Sequence, residues 1–254
     1  MADRPSILLT NDDGIDAPGL AALYERLSTV GDVTAVAPQE NQSAVGRSLT
    51  YGRTSSGGSV QLEATADGFS CPVPHESHEF GYAVDGTPCD CVIVGLHALD
   101  PAPDVVVSGC NPGANLGAYV LSRSGTASAA MEAAMHGTPG IAVSMDTLGY
   151  EPSLEPADFA EPARIASALI DHGGLEQVDY CNLNVPRPDR PVQGLEITEP
   201  TPVYEMDASL EADGFRLYNR LWEHMATGDL PDDPGTDRRA LEANKISLSP
   251  LRLP

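Results

Sequence analysis

The chain has 254 residues, with 37 acidic against 14 basic side chains and a formal net charge of −23. That length suits one large α/β domain, or a domain with a small appendage, and 41% hydrophobic residues provide a full core, which excludes wholesale disorder. So acidic a surface repels nucleic-acid phosphates and anionic membranes, which excludes a broad polyanion-binding face and leaves no nucleic-acid polymer or membrane among the expected partners.

Ile7–Thr10 is a short apolar run of the kind that forms a buried parallel strand. Leu20, Leu23, Tyr24 and Leu27 then fall at helical spacing, which predicts a helix over Ala17–Leu27. Gly31–Asp32 breaks it, and Val33–Ala37 reads as the next strand. A polar loop follows from Gln39 to Arg47, and Leu49 resumes extended structure. Cys91–Val94, Val105–Val107 and Ile141–Ser144 read as further core strands, with an alanine-rich helix over Gly125–His136 between the last two. Asp158–Ile170 is an amphipathic helix, and Asn182–Val185 another strand.

This alternation predicts a doubly wound, Rossmann-like α/β fold with a mostly parallel sheet, its core and functional loops within residues 1–186. Residues 187–254 change character. Prolines separate short strands at Leu195–Thr198, Val203–Met206 and Phe215–Asn219, before a helix at Arg238–Ala243 and a strand at Lys245–Leu248. We read this as a hairpin-rich oligomerisation section belonging to the same globular unit.

Lysine occurs once, at Lys245, and acids are scattered rather than gathered in a tail. An acidic surface nearly free of lysine is expected of a protein adapted to high salt, where self-repulsion is screened, as in a halophilic archaeon. No run approaches the ~18 apolar residues of a membrane span, and the first residues lack the pattern of a signal peptide. A cytoplasmic location is therefore expected. The five cysteines are odd in number and irregularly spaced, as reduced thiols are. Cys71, His75, His78, Cys89 and Cys91 lack a complete zinc-ligand spacing and read as incidental.

In a doubly wound sheet, functional groups collect beyond the carboxyl ends of the strands. Asn11-Asp12-Asp13-Gly14 follows the first strand. Two adjacent carboxylates are costly unless a cation sits between them, and hard divalent ions prefer oxygen ligands. The plainer reading of the same residues is a turn and helix cap. In the loop Pro38–Ser43, Ser43 or Asn41 offers a neutral oxygen. The third loop, Ser108–Gly117, combines three glycines with Asn111 and Asn115. Its glycines let backbone amides approach a phosphate, and its asparagines offer a carbonyl or an amide. It matches neither the dinucleotide fingerprint nor a P-loop. Ser124, Gly125 and Thr126 open the alanine-rich helix, where hydroxyls and amides form an anion site or simply cap the helix. Together these groups are those that metal-assisted phosphate-ester hydrolysis requires. A nucleotide-binding protein without hydrolysis is the alternative; no G-x-S-x-G elbow points to a serine hydrolase.

The segments ILLTNDDGIDAPGL, VAPQENQSAVGRSLT, DGTPCDCV, VVSGCNPGANLG, SGTASAAMEA, NLNVP and GTDRRALEANKISLSPL, in this order, resemble the SurE family of 5′/3′-nucleotidases. The resemblance implies a phosphomonoesterase acting on nucleoside monophosphates with one divalent ion per subunit, Mg²⁺ or Mn²⁺. It implies Asp12, Asp13, Ser43 and Asn111 as metal ligands, Asp12 and Asp13 as catalytic carboxylates, and Asn115, Ser124, Gly125 and Thr126 around the phosphate. It also implies a homodimer or homotetramer with an exchanged C-terminal extension. Asp16 stands where the family often has histidine, and Ala44 where glycine commonly follows the ligand serine. Gly68–Phe80 aligns with none of these blocks.

Overall fold

The computed structural model describes residues 4–253 except 53–57, 60, 67, 176–177, 205, 221–223, 226 and 230. In chain order the first half contains β1 (Ser6–Thr10), α1 (Pro18–Leu27), β2 (Asp32–Pro38), β3 (Glu63–Thr65), β4 (Gly68–Ser70), β5 (His75–His78), β6 (Gly81–Val84), α2 (Pro88–Ala98) and β7 (Val105–Pro112). The second half contains α3 (Gly117–Leu121), α4 (Gly125–Met135), β8 (Gly140–Met145), α5 (Ala160–Asp171), β9 (Tyr180–Val185), β10 (Leu195–Ile197), β11 (Met206–Glu211), β12 (Gly214–Asn219), α6 (Asp237–Glu242) and β13 (Ile246–Leu251). A 3-10 turn at Pro156–Phe159 leads into α5.

Nine strands form one sheet in the order β10-β13-β9-β8-β7-β1-β2-β6-β5. The six strands from β9 to β6 run parallel, while β13 pairs antiparallel with β9 and β5 antiparallel with β6. The doubly wound α/β fold expected from the sequence is the fold observed. Alternate side chains of the central strands reach opposite layers. Ile7, Leu9, Val105, Val107, Ile141, Val143 and Leu183 pack with Leu20, Leu23 and Leu27 of α1 and with Ala163 and Ala166 of α5. Leu8, Val36 and Val106 pack on the other side with Cys91 and Val92 of α2 and Ala129 and Ala133 of α4. Burial on both faces explains why these strands read as continuous apolar runs. Each buried leucine or valine contributes roughly 1.5–3 kcal/mol.

Cys91–Val94 is helix, not strand. Thr87 caps α2, its hydroxyl accepting from the Asp90 N–H (3.2 Å) while Asp90 Oδ2 accepts from the Thr87 N–H (2.8 Å), and Pro88 stands in the first turn. A short apolar run buried between a sheet and another helix has no period that distinguishes it from a strand, so the capping box Thr-Pro-x-Asp was the informative signal. The strand expected at Val203–Met206 begins instead at Met206 and runs to Glu211, and Leu49 lies in irregular chain. The segment Gly68–Phe80 contains β4 and β5, halves of two small hairpins. Among the described residues no helix is long and apolar enough to cross a membrane.

Candidate active site

The winding reverses at β1: β2 follows on one side and β7 takes the other. The carboxyl ends of β1 and β7 therefore flank the crevice where doubly wound sheets bind their ligands. Asn11-Asp12-Asp13-Gly14 leaves β1 at this point, and Asn111 is the last residue but one of β7, whose Ser108 lies opposite Thr10.

Asn11 makes the turn. Its side-chain amide donates to the Gly14 carbonyl (2.7 Å) and its Oδ1 accepts from the Gly14 N–H (3.2 Å), while Gly14 takes φ +104°, which only glycine adopts readily. Helix α1 has no side-chain cap. Neither aspartate is thus used for the turn or the cap, the plainer roles that the sequence allowed.

Asp12 is buried, and the Thr126 hydroxyl donates to its Oδ1 at 2.6 Å. A Cβ at Gly125 would lie 2.7 Å from Asp12 Cβ, so glycine is what lets the start of α4 close over this carboxylate. Burial pushes the Asp12 carboxyl above its ordinary range, an effect opposed by the Thr126 hydroxyl and by the backbone amides of Thr126 and Gly125. Asp13 is pushed to about 7, by burial first and by the neighbouring Asp12 charge second. Its Oδ1 accepts a long hydrogen bond from Asn41 (3.4 Å), and its buried Oδ2 has no partner among the described residues. Two desolvated carboxylates, one with an orphaned oxygen, fit a hard divalent cation, which would satisfy that oxygen and neutralise the pair.

The second loop is tied to the first by the Gln42 N–H, which donates to the Asp12 carbonyl (2.6 Å); within the loop the Ser43 N–H donates to Asn41 Oδ1 (2.9 Å). Farther along, the Gly46 N–H donates to the Arg123 carbonyl (3.0 Å), and Arg47 pairs with Glu132 of α4 (3.1 Å). Ser43 is exposed beside the carboxylates' loop, and Ala44 takes φ +63°. That left-handed conformation is the physical reason a glycine suits the position.

In the third loop the Asn111 side-chain NH₂ donates to the Gly113 carbonyl, which orients the amide with its oxygen on the other side. Asp13 is close enough to raise the thiol of neighbouring Cys110, after burial, the larger cause. Asn115 is held inward: its side-chain amide donates to Ser144 Oγ (2.9 Å) and its backbone is bonded to Asn182 and Asn184. The Ser124 hydroxyl accepts from the Ala127 N–H (3.1 Å) and caps α4. The expected phosphate residues Gly125 and Thr126 thus lie directly against Asp12. Direct contacts join Asp12 to Gly125, Thr126 and the loop that carries Ser43, while Asn111 lies in β7 three residues beyond the Ser108 that faces Thr10 of β1.

Asp16 pairs with the His78 imidazole of β5 (3.3 Å), so a histidine approaches this corner from another element. Cys89 and Cys91 are buried in α2, and among the described residues no three His, Cys, Asp or Glu side chains gather in a metal-holding group. The oxygen-rich set above has only two carboxylates and draws its other donors from neutral side chains. A cavity of about 480 Å³ lies between α1 and α5, away from the loops that carry the paired aspartates.

Sequence reasoning missed Ser144, Asn182, Asn184 and Asp237, whose Oδ2 accepts from the Gly117 N–H (2.6 Å). Asparagines alternating with Leu183 and Val185 in a buried strand were the available signal, since strands are depleted in asparagine.

Fold and site together define a doubly wound α/β protein with a paired-carboxylate, oxygen-rich site at its topological switch point. Residues 7–205 match the family model described as survival protein SurE. The chain is 50% identical to the 5′-nucleotidase SurE of Haloarcula marismortui, covering 99% of this chain and 90% of that protein. It is also 50% identical to the 5′-nucleotidase SurE of Natronomonas pharaonis, covering 98% and 93%. Among solved structures, the SurE protein of Aquifex aeolicus superposes with a TM-score of 0.73 at 31% identity, over 97% of this chain and 93% of that one. The chain belongs to the SurE family. Relatives from halophilic archaea agree with the salt adaptation read from its acidity.

Proposed function

We propose that this chain hydrolyses nucleoside 5′-monophosphates to nucleoside and phosphate, using a divalent metal ion. The observation that carries the reading is the Asp12–Asp13 pair at the switch point, Asp12 buried and Asp13 with one buried carboxylate oxygen that has no partner among the described residues. Two 5′-nucleotidases at 50% identity support the substrate class. In this reading Asp12, Asp13, Ser43 and Asn111 hold one ion, Mg²⁺ or Mn²⁺. Such an ion, when bound, neutralises phosphate charge and lowers the pKa of a bound water.

The chain's own residues do the rest. Thr126 and Gly125 fix the Asp12 carboxylate in one orientation. Asp13 accepts the proton of the attacking water, as a positioned carboxylate can. Asn115 and the Ser124–Thr126 start of α4 frame the phosphate oxygens.

Residues 1–186 and 187–254 act as one unit in this account, because β13 pairs with β9 of the core. The hairpin β11–β12 supports a homodimer or homotetramer: Leu210, Phe215 and Leu217 are 74%, 82% and 74% exposed on a two-stranded ribbon outside the main sheet. An isolated hairpin is marginal in water, and a second copy of the chain would cover these side chains. Free thiols throughout support a cytoplasmic location.

The test is a phosphate-release panel over 5′- and 3′-mononucleotides, with and without Mn²⁺, at low and molar salt. Release from 5′-mononucleotides only with the divalent ion supports the proposal. Nucleotide binding without release favours a binding protein.

A further inference from the structure

The block NLNVP is not explained by the metal ligands or the phosphate groups. In the fold it is β9, with Cys181, Leu183 and Val185 facing the α1–α5 layer. The intervening Asn182 and Asn184 face the other side, where both are wholly buried. Asn184 lies beside Ser144 of β8, in register. All three side chains converge on one residue, Asn115. The Asn115 N–H donates to Asn184 Oδ1 (2.8 Å), and its carbonyl accepts from Asn184 Nδ2 (3.1 Å) and Asn182 Nδ2 (2.8 Å). Ser144 Oγ accepts from the Asn115 side-chain amide (2.9 Å).

One carboxamide therefore grips both backbone groups of Asn115, as a neighbouring strand would. Only a side chain with both a donor and an acceptor at one end can do this; an ionised aspartate cannot donate and leucine can do neither. Burial makes the arrangement restrictive, because an unpaired polar group inside the protein is costly. Asn115 belongs to a glycine-rich loop with little conformational preference of its own, and its neighbour Gly117 takes φ +80°.

We propose that Asn184 is a positioning residue for the phosphate site, fixing Asn115 through its backbone while Ser144 fixes its side chain. The inference rests on the reading of Asn115 as a phosphate-binding residue. Asn184 itself touches no substrate.

The test uses the full chain and two probes, inorganic phosphate binding by calorimetry and KM for a 5′-mononucleotide. Asn184→Asp is expected to weaken inorganic phosphate binding and raise KM by about tenfold, the scale of one lost, well-placed hydrogen bond. Asn115→Ala gives a similar loss, and the double variant is no worse than Asn115→Ala alone, because one residue acts through the other. Losses that multiply in the double variant, or unchanged phosphate affinity in a folded Asn184→Asp protein, overturn the inference while Asn115→Ala still weakens binding. An Asn115→Ala protein with unchanged phosphate affinity overturns the phosphate reading and this inference with it. Ser144→Ala removes one contact without adding charge, so it keeps the question answerable if Asn184→Asp does not fold. It is expected to weaken phosphate binding about threefold, with recovery in Ser144→Thr, and no change in phosphate affinity on losing the hydroxyl counts against the proposal.

Discussion

Asp13→Asn should stabilise the metal-free protein and abolish its stabilisation by divalent ions. The folded chain holds the Asp13 proton up to about pH 7, whereas the ordinary value is 3.8. Ionisation therefore favours the unfolded chain, and stability is lost as pH rises from about 4 to about 7 and is level above. Roughly three pKa units correspond to about 4 kcal/mol as an upper bound. Solvent screening at a half-buried carboxylate, together with molar salt, brings the expected penalty to roughly 2 kcal/mol. Asparagine keeps the shape and removes the charge, so in EDTA at pH 8 the variant should melt about 4–8 °C higher than the unsubstituted protein. At pH 4 the two should melt together. Adding Mn²⁺ at pH 8 should raise the melting temperature of the unsubstituted protein and leave the variant unmoved. Thermal melts followed by circular dichroism across this pH range decide it. A variant that melts no higher than its parent in EDTA at pH 8, or that gains equally from Mn²⁺, refutes the reasoning.

Thr126→Val keeps the side-chain shape and removes the hydroxyl donor to the buried Asp12 carboxylate; a loss of about 1–3 kcal/mol is expected in urea unfolding. The same change should raise the Asp12 pKa further, because the hydroxyl now lowers it, and so move the acid limb of the pH–rate profile upward. Asp232→Ala strands Arg238, whose side chain is wholly buried with it in an ion pair at 2.7 Å, and should cost about 3–5 kcal/mol in the same assay. Phe215→Ser with Leu217→Ser should shift the assembly toward monomer in light scattering, with the monomer's circular dichroism spectrum retained.

The sheet was legible in the sequence because its strands are apolar on both faces: the Val105–Val107 run and Ile7–Leu9 lie where they were expected. The carboxylate pair was legible for a different reason, since two adjacent acids after a strand end have few comfortable environments. What the sequence withheld were features set by other parts of the chain. Cys91–Val94 looked like a strand because burial on all sides erases helical period. Thr126 read as a phosphate group, yet its partner is Asp12, 114 residues earlier. The grip of Asn184 on Asn115 spans 69 residues, and no local pattern announces it. Ala44 departs from the family's glycine, and only the backbone angle shows what that position demands.

The central claim is that Asp12 and Asp13 at the switch point support divalent-dependent phosphate release from nucleoside 5′-monophosphates. The most direct measurement compares the unsubstituted chain with Asp12→Asn in molar salt, with Mn²⁺ or EDTA, by phosphate release from a 5′-mononucleotide. The unsubstituted chain should turn over only with Mn²⁺, and Asp12→Asn should lose at least about a hundredfold in kcat while remaining folded. An Asp12→Asn protein that keeps the parent's turnover, or a parent that is equally active in EDTA, would contradict the account.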